Sequence, residues 1–175
     1  MNLTTNERAQ RKLLVTIAEW TVGEGTGSIK REILGTRTPD SSIELNADIQ
    51  TSTDILGITY TDVNKTEPQQ SFDPYYIIGG KLLGEYMTEA MLKNDINAYN
   101  GKFTMYIVTL FIQNGTTTAS DNKYYAVRHT GCSIIPTAIG GDSFVNMPLE
   151  VHFSNNITEG TVDKIASDFV FTPAA

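Results

Sequence analysis

The sequence predicts a mainly β fold with one helix, in a single domain of the sandwich or barrel type. Several segments rich in Val, Ile, Thr and aromatic residues are separated by Gly, Asn and Asp clusters, which is the pattern of strands and turns. One segment repeats its apolar residues at helical spacing. At 175 residues, with 40% hydrophobic and 19% charged residues, the chain can bury one substantial core.

The first strands are predicted before residue 50. Residues 13–20 form one strand, and Ile33 and Leu34 begin a short second element. Between them, Gly23, Gly25 and Gly27 predict a flexible turn and not a phosphate loop, because no helix and no Gly-Lys-Ser/Thr follows. Residues 42–49 alternate and predict one half-buried strand. Its apolar face would carry Ile43, Leu45, Ala47 and Ile49, and its polar face Ser42, Glu44, Asn46 and Asp48.

The regular pattern stops between residues 51 and 74. Burial of the few apolar side chains in this segment does not offset the conformational entropy of ordering it. It lies in an acidic stretch in which Lys65 is opposed by Asp40, Glu44, Asp48, Asp54, Asp62, Glu67 and Asp73. A loop this long is uncommon unless it is functional or disordered.

Two interpretations of this loop remain open: a disordered surface insertion, or an arm that orders on a neighbouring chain by adding a strand to its sheet. The Ile55-Leu56 pair and the aromatic residues around Pro74 favour the arm. Interfaces use such apolar and aromatic anchors within a polar rim.

The second half of the chain predicts one helix and the remaining strands. An amphipathic helix is expected over residues 81–96, with its apolar face formed by Leu82, Leu83, Tyr86, Met87, Ala90 and Met91. Strands over residues 103–113 and 124–135 flank Asn114-Gly115, a strong hairpin signal. Further strands are predicted over residues 147–153 and 169–172, with turns at 154–156 and 159–161.

No residue pattern predicts catalysis, a metal site or a cofactor. His129 and Cys132 invite a zinc or nucleophile interpretation, but a structural zinc needs four ligands and no second cysteine exists. Positions 129 and 132 of a strand also point to opposite faces unless a bulge intervenes. We therefore expect a buried Cys132 and a surface His129. Asp54, Asp62 and Asp73 lack the spacing of a calcium loop and are expected to be solvated or interface carboxylates.

Charge and composition exclude several partner classes. The net charge is −7 and the sequence pI is near 4.7, and the basic residues are scattered, whereas a protein that grips nucleic acid needs clustered Lys and Arg. The single cysteine and a start without an apolar export signal predict folding in a reducing cytoplasm. Without a run of 18 apolar residues, membrane insertion is not expected.

Two groups of motifs resemble the major tail proteins of bacteriophages, which build the tail tube. Three segments are similar to the stacking-loop region of that family: Thr53-Asp54-Ile55-Leu56-Gly57, Tyr60-Thr61-Asp62-Val63-Asn64-Lys65-Thr66-Glu67-Pro68 and Phe72-Asp73-Pro74. Four segments resemble a later part of the family's sequence: Gly131-Cys132, Ile135-Pro136-Thr137, Gly140-Gly141 and Val145-Asn146-Met147-Pro148. The resemblance covers about residues 32–172, in matching order.

The resemblance implies a tail-tube domain over residues 1–175. A long hairpin loop at about 48–78 would reach the adjacent ring, and terminal arms at 1–12 and 168–175 would add contacts between rings. Six copies would close into a ring whose inner sheets join as a barrel, and rings would stack into a hollow tube. The implied inter-ring residues are Asp54, Ile55, Leu56, Tyr60, Asp62, Val63, Lys65, Phe72, Asp73, Pro74 and Tyr75. Glu44 and Asp48 are expected to line an acidic lumen through which DNA slides without specific binding.

The same resemblance implies a chain made in the cytoplasm of a bacterial host and located in the virion tail. Its other partners would be tape-measure, tail-terminator and baseplate or tip proteins. The inner tube of a contractile tail or phage-derived bacteriocin is an alternative, which a neighbouring sheath gene would favour. A monomeric β-sandwich binding module is a second alternative and predicts a single sedimenting species, and an enzyme is a third.

Overall fold

A computed structural model describes residues 8–22, 27–111 and 123–174. Five predicted features fall outside these residues, wholly or in part. They are the first seven residues of the N-terminal arm, the turn at Gly23 and Gly25, the last two residues of the strand predicted over 103–113, the hairpin turn at Asn114-Gly115, and Ala175. The described part is mainly β with a large antiparallel sheet, which confirms the predicted β-rich class.

Eleven strands and two helices follow one another within the described residues. The strands are β1 (Leu14–Val22), β2 (Ser28–Ile33), β3 (Ile43–Glu44), β4 (Ala47–Thr53), β5 (Thr59–Thr66), β6 (Gln69–Phe72), β7 (Phe103–Thr109), β8 (Tyr124–Pro136), β9 (Leu149–His152), β10 (Ile157–Val162) and β11 (Phe171–Pro173). The helices are α1 (Leu82–Leu92) and α2 (Ile96–Tyr99), and a short 3-10 turn, Arg11–Leu13, precedes β1.

The main sheet runs in the order β2-β1-β7-β8-β9-β6-β3, with every pair antiparallel. The first half of β8 also pairs with β10, which pairs in turn with β11, whereas its second half pairs with β9. Gly131, at φ +80°, is the extra residue of a bulge between these halves. Because a bulge bends a strand, β8 can serve both parts of the sheet.

The main core lies between α1 and one face of this sheet. Leu83 and Met87 of the helix are fully buried against strand residues such as Met105, Ile134 and Val151. An aromatic cluster of Trp20, Tyr86 and Phe103, with ring centroids 6.2–6.4 Å apart, closes one side. The predicted helix is therefore confirmed, although it ends at Leu92. The chain reverses at Asn94 (φ +51°) and restarts as α2, with Asp95 accepting a hydrogen bond from the Asn97 amide.

A second core cluster lies under the C-terminal segment, which was predicted to be an arm. Phe169 is 1% exposed and packs edge-on against Tyr106, with ring centroids 4.8 Å apart. The Arg31 guanidinium stacks over the Phe169 ring and donates a hydrogen bond to its carbonyl. Since β11 also pairs with β10, residues 169–173 pack on their own subunit.

The prediction of one half-buried strand over residues 42–49 is wrong. The chain leaves the main sheet at Asn46, a residue type that tolerates its positive φ of 44°, so β3 and β4 belong to different sheets. Leu45 and Ile49 are 59% and 58% exposed. The apolar alternation is real, but the core does not cover it.

A strand also replaces the turn predicted at residues 159–161. Gly160 lies within β10, where a Cβ would come within 2.4 Å of the Thr172 carbonyl oxygen and 2.6 Å of the Phe171 ring. The glycine thus marks a close approach between strands and not a turn. The last predicted strand is shifted towards the C-terminus, to Phe171–Pro173.

Removal of the Leu83 side chain tests the packing of α1 on the sheet. We expect Leu83→Ala to lower the free energy of unfolding by about 2–5 kcal/mol, because it opens a cavity in the main core. The measurement is urea denaturation of dilute, unassembled protein. Leu92→Ala is the matched control, since Leu92 lies on the same helix but is 76% exposed, and it should change the value by no more than about 0.5 kcal/mol. Equal losses would contradict the described packing.

Candidate assembly surface

The segment predicted to be an irregular loop contains a regular hairpin that stands apart from the core. β4 and β5 pair with each other from Ala47↔Thr66 to Thr53↔Thr59, and they form a two-stranded sheet separate from the main one. Apart from Asp54, every residue from Asp48 to Lys65 is exposed. The prediction that this stretch lacks a core of its own agrees with that exposure. The loop without regular strands that the residue pattern predicted is wrong, whereas a hairpin is what the resemblance implies for this part of the chain.

The tip of this hairpin is held by the Asp54 carboxylate. Its Oδ1 accepts hydrogen bonds from the amides of Leu56 (2.8 Å) and Ile58 (2.9 Å), and its Oδ2 accepts one from the Tyr60 hydroxyl (3.3 Å). Gly57, at φ +79°, makes the turn possible. The hydrogen bond from Ile58, with those from Leu56 and Tyr60, lowers the pKa of Asp54 below its ordinary value.

The ordered tip presents apolar side chains to solvent. Ile55 is 103% exposed and Leu56 is 79% exposed, because the turn directs both away from the hairpin. Behind them one face of the hairpin is β-branched throughout, formed by the cross-strand pairs Ile49↔Val63, Thr51↔Thr61 and Thr53↔Thr59. Such a face normally packs against another surface.

The structure divides the predicted inter-ring residues into two groups. Seven lie on the hairpin: Asp54, Ile55, Leu56, Tyr60, Asp62, Val63 and Lys65. Phe72 and Tyr75, in contrast, are 1% and 4% exposed in the main core, so assigning them to an interface is wrong. β6 pairs with β3 and β9, which turns Phe72 inward. Asp73 is exposed and Pro74 half-buried beyond the end of β6.

Tyr75 belongs to a buried polar cluster around Glu32. Its hydroxyl donates to one Glu32 carboxylate oxygen at 2.7 Å, and the Leu83 amide donates to the other at 3.2 Å. Burial, with the neighbouring Glu32 charge, raises the pKa of Tyr75. The carboxylate satisfies a free amide in the first turn of α1 and ties that helix to β2, so the cluster is structural.

His129 and Cys132 are both buried, and the prediction of a surface His129 is wrong. The bulge at Gly131 changes the alternation, so both side chains face inward, at 6% and 0% exposure. The His129 Nδ1 lies 2.9 Å from the Ser154 carbonyl oxygen. Burial raises the pKa of the Cys132 thiol, which disfavours the thiolate that a nucleophile requires. Among the described residues, no three His, Cys, Asp or Glu side chains are grouped to hold a metal ion.

The two predicted lumen residues are exposed but lie on different elements. Glu44 is in β3 at the edge of the main sheet, whereas Asp48 is in the hairpin, beyond the break at Asn46. The Asn64 side-chain amide donates a hydrogen bond to the Asp48 carboxylate at 3.3 Å. The alternation predicted that Glu44 and Asp48 share one face of one strand, and this prediction is wrong.

A second exposed apolar surface, the helix groove, was missed by sequence reasoning. It lies between α1 and residues 139–145, has a volume of about 670 Å³, and its main apolar residues are Ile77, Leu92, Ile139, Phe144 and Val145. Phe144 is 73% exposed and Val145 52% exposed. One feature of the sequence could have indicated this groove. Phe144, an aromatic residue, directly follows the turn-forming Gly140-Gly141-Asp142-Ser143, where a polar residue is more common.

Comparison with known protein families and with curated protein sequences gives no match. Across residues 8–22, 27–111 and 123–174, no helix has the length and apolar character needed to cross a membrane. The functional evidence is therefore the surface itself, namely an exposed, ordered hairpin with an apolar tip and a separate apolar groove.

Acid should loosen the hairpin tip. Because the folded-state pKa of Asp54 is lowered, its carboxylate contributes fully above the ordinary value of 3.8, and that contribution is lost as the pH falls through the lower folded value. We expect the amide proton shifts of Leu56 and Ile58 in NMR spectra to titrate together with a midpoint below 3.8. Asp54→Asn, which keeps an oxygen acceptor, should abolish the titration. A midpoint above the ordinary value would contradict this account.

Proposed function

We propose that this chain is the structural subunit of a bacteriophage tail tube, assembling into stacked rings that form the channel for genome delivery. The observation that carries the proposal is the β4–β5 hairpin, which extends from the core with its large apolar side chains in solvent. The resemblance of residues 53–74 to the stacking-loop region of phage major tail proteins supports the same function.

The hairpin has the properties of a segment completed by another molecule. The hairpin shares no strand pairing with the main sheet, so both of its faces remain available to another molecule. Its outer edges offer backbone groups that β4 and β5 do not pair, and its β-branched face offers Ile49 and Val63 beside four threonines. Contact with a neighbouring subunit would satisfy both.

The main sheet curves back on itself within the subunit. The Thr16 hydroxyl of β1 donates a buried hydrogen bond to the Gln70 side chain of β6 at 2.9 Å, so two distant strands of the sheet path face each other across the core. Such curvature suits the sandwich or barrel type of domain that the resemblance implies. Six copies per ring is the number that the family resemblance implies.

The acidity of the chain suits a conduit for DNA. A net charge of −7 repels the phosphate backbone, so a genome would slide without specific binding. Glu44 and Asp48 remain the proposed lumen residues, as exposed carboxylates before and after the break at Asn46. Tape-measure, tail-terminator and baseplate or tip proteins are the further partners in this proposal. In the virion the chain would lie in the tail.

The alternatives differ in how well the structure supports them. An inner tube of a contractile tail or bacteriocin would use the same surfaces, so the subunit alone does not separate it from a non-contractile tube. A monomeric carbohydrate-binding module would have to stack a sugar on Tyr60 or Phe144, because Trp20 is 2% exposed.

Excision of the hairpin tests the proposal. The variant replaces residues 49–64 with Asn-Gly, a two-residue turn suited to the Asp48↔Lys65 pair. Deleting the whole loop, residues 54–72, is unsuitable because it would also remove the core strand β6. We expect a folded chain that unfolds cooperatively and keeps a β-rich far-UV spectrum, with less strand signal because most of β4 and β5 is removed. It should form no tubes in negative-stain electron microscopy. Ile96→Ser is the control, since it alters an apolar side chain that is 65% exposed on α2, outside the hairpin and the terminal arms, and it should assemble normally.

Tubes of normal length from the hairpin-excised chain would refute the role of the hairpin. The unaltered protein should form tubes as its concentration rises. A single monomeric species at every concentration tested by sedimentation would refute assembly itself.

Charge reversal tests the lumen residues. Glu44→Lys and Asp48→Lys are made separately, because Asp48 lies on the hairpin that assembly would use and Glu44 does not. In tubes formed by either variant, DNA exit should slow severalfold because the new lysine attracts phosphates. The measurement is the rate of DNA release from phage that carry the variant subunit, at low and at high salt. The slowing should weaken at high salt. Unchanged kinetics would remove both residues from the lumen.

A further inference from the structure

We infer that the helix groove of one subunit receives the hairpin tip of a second copy of the same chain. This inference rests on the proposed function and deepens it, because it names the receptor surface that stacking would use. The groove lies between α1 and residues 139–145, and the tip is the Ile55-Leu56 pair.

The register of the main sheet places tip and groove at opposite ends of the same two strands. In the β6–β9 pair, Gln69 lies opposite His152 and Phe72 lies opposite Leu149. The hairpin joins the sheet just before Gln69, at the His152 end. Residues 73–78 follow β6, and residues 139–147 precede β9. Both segments therefore adjoin the other end of the pair, where Phe72 lies opposite Leu149. Contacts between these segments, including the Ile77 amide to the Val145 carbonyl at 3.2 Å, build the groove there.

This placement identifies the occupant. β4 and β5 pair only with each other, and Ile55 and Leu56 are 103% and 79% exposed, so the hairpin does not fill the groove of its own subunit. In a second copy displaced along the strand direction, the hairpin end of that copy faces the groove end of the first. Such a contact joins two different surfaces and repeats, so it propagates as a stack instead of closing as a dimer.

The two surfaces match in chemistry. The Asp54 carboxylate is engaged by the backbone of its own turn, which leaves the branched side chains of Ile55 and Leu56 as the outward groups. The groove offers Phe144, Val145 and Leu92, each more than half exposed. On the groove rim, Glu89 is paired with Lys93 in the next turn of the helix. Apolar contact is therefore the main attraction, and the ordered tip loses little freedom on binding.

Disulfide trapping tests the contact, because Cys132 is the only cysteine and is fully buried. Chains with Leu56→Cys and chains with Phe144→Cys are mixed in equal amounts, assembled and mildly oxidised. We expect a cross-linked pair containing one chain of each kind, identified by mass spectrometry. Leu56→Cys mixed with Ile96→Cys is the matched control, because Ile96 is 65% exposed and does not line the groove. It should give less than a tenth of that product.

A non-covalent variant gives an independent measurement. Phe144→Ser should leave the monomer folded, because the side chain is 73% exposed, and should raise the concentration needed for tube formation tenfold or more. Ile55→Ser with Leu56→Ser should have an effect of similar size. Combining the groove and tip variants should add little further loss, since both remove one contact.

The outcomes separate this inference from the proposed function. Normal tubes from Phe144→Ser, with no Leu56→Cys to Phe144→Cys product inside assembled tubes, would overturn the groove as receptor and leave the tube proposal standing. Cross-links only between two Phe144→Cys chains would also overturn it, since the groove would then cover a copy of itself. If the unaltered chain formed no polymer, both proposals would fall.

Discussion

The pairing of β6 with β9 and β3 is the constraint on which the exposed surfaces depend. β6 has four residues, and two of them, Gln70 and Phe72, are buried. The Gln70 amide accepts a hydrogen bond from the Thr16 hydroxyl and donates one to the Ser41 hydroxyl, so a fully buried polar group is satisfied at both ends. These contacts fix where the hairpin leaves the sheet and where the segment beside the groove begins.

The hairpin combines order with exposure, and this combination is what an assembly segment requires. A disordered arm would lose conformational entropy on docking, whereas the Asp54 turn and seven cross-strand pairs fix the backbone beforehand. The exposed Ile55 and Leu56 gain little from folding of the monomer, so their stabilisation becomes available on contact with another chain. The buried Glu32 cluster holds α1, and therefore one wall of the groove, in a fixed position.

Periodicity predicted those elements in which one face is buried by the chain itself. It located β1, β7, β8, β9 and α1, because burial follows their alternation or helical spacing. It failed where apolar residues serve the surface, as at Leu45 and Ile49, since pattern alone does not say what covers a face. Tyr75 was misplaced because an aromatic residue beside proline suits a core as well as an interface. The groove was not predictable, since Ile77, Leu92 and Phe144 come together only through tertiary structure.

Placement of tip and groove at opposite ends of two strands has a consequence for how a polymer would end. Every tip inside a stack is covered by a groove, so one terminal layer keeps free tips and the other keeps free grooves. A protein that caps the first end must offer an apolar cleft, and one that caps the second must offer an apolar projection. Because Ile55 and Leu56 differ from Phe144 and Val145 in shape, a single capping surface would not fit both ends. The proposed stacking mode therefore requires chemically distinct partners at the two ends, which gives the tube a direction.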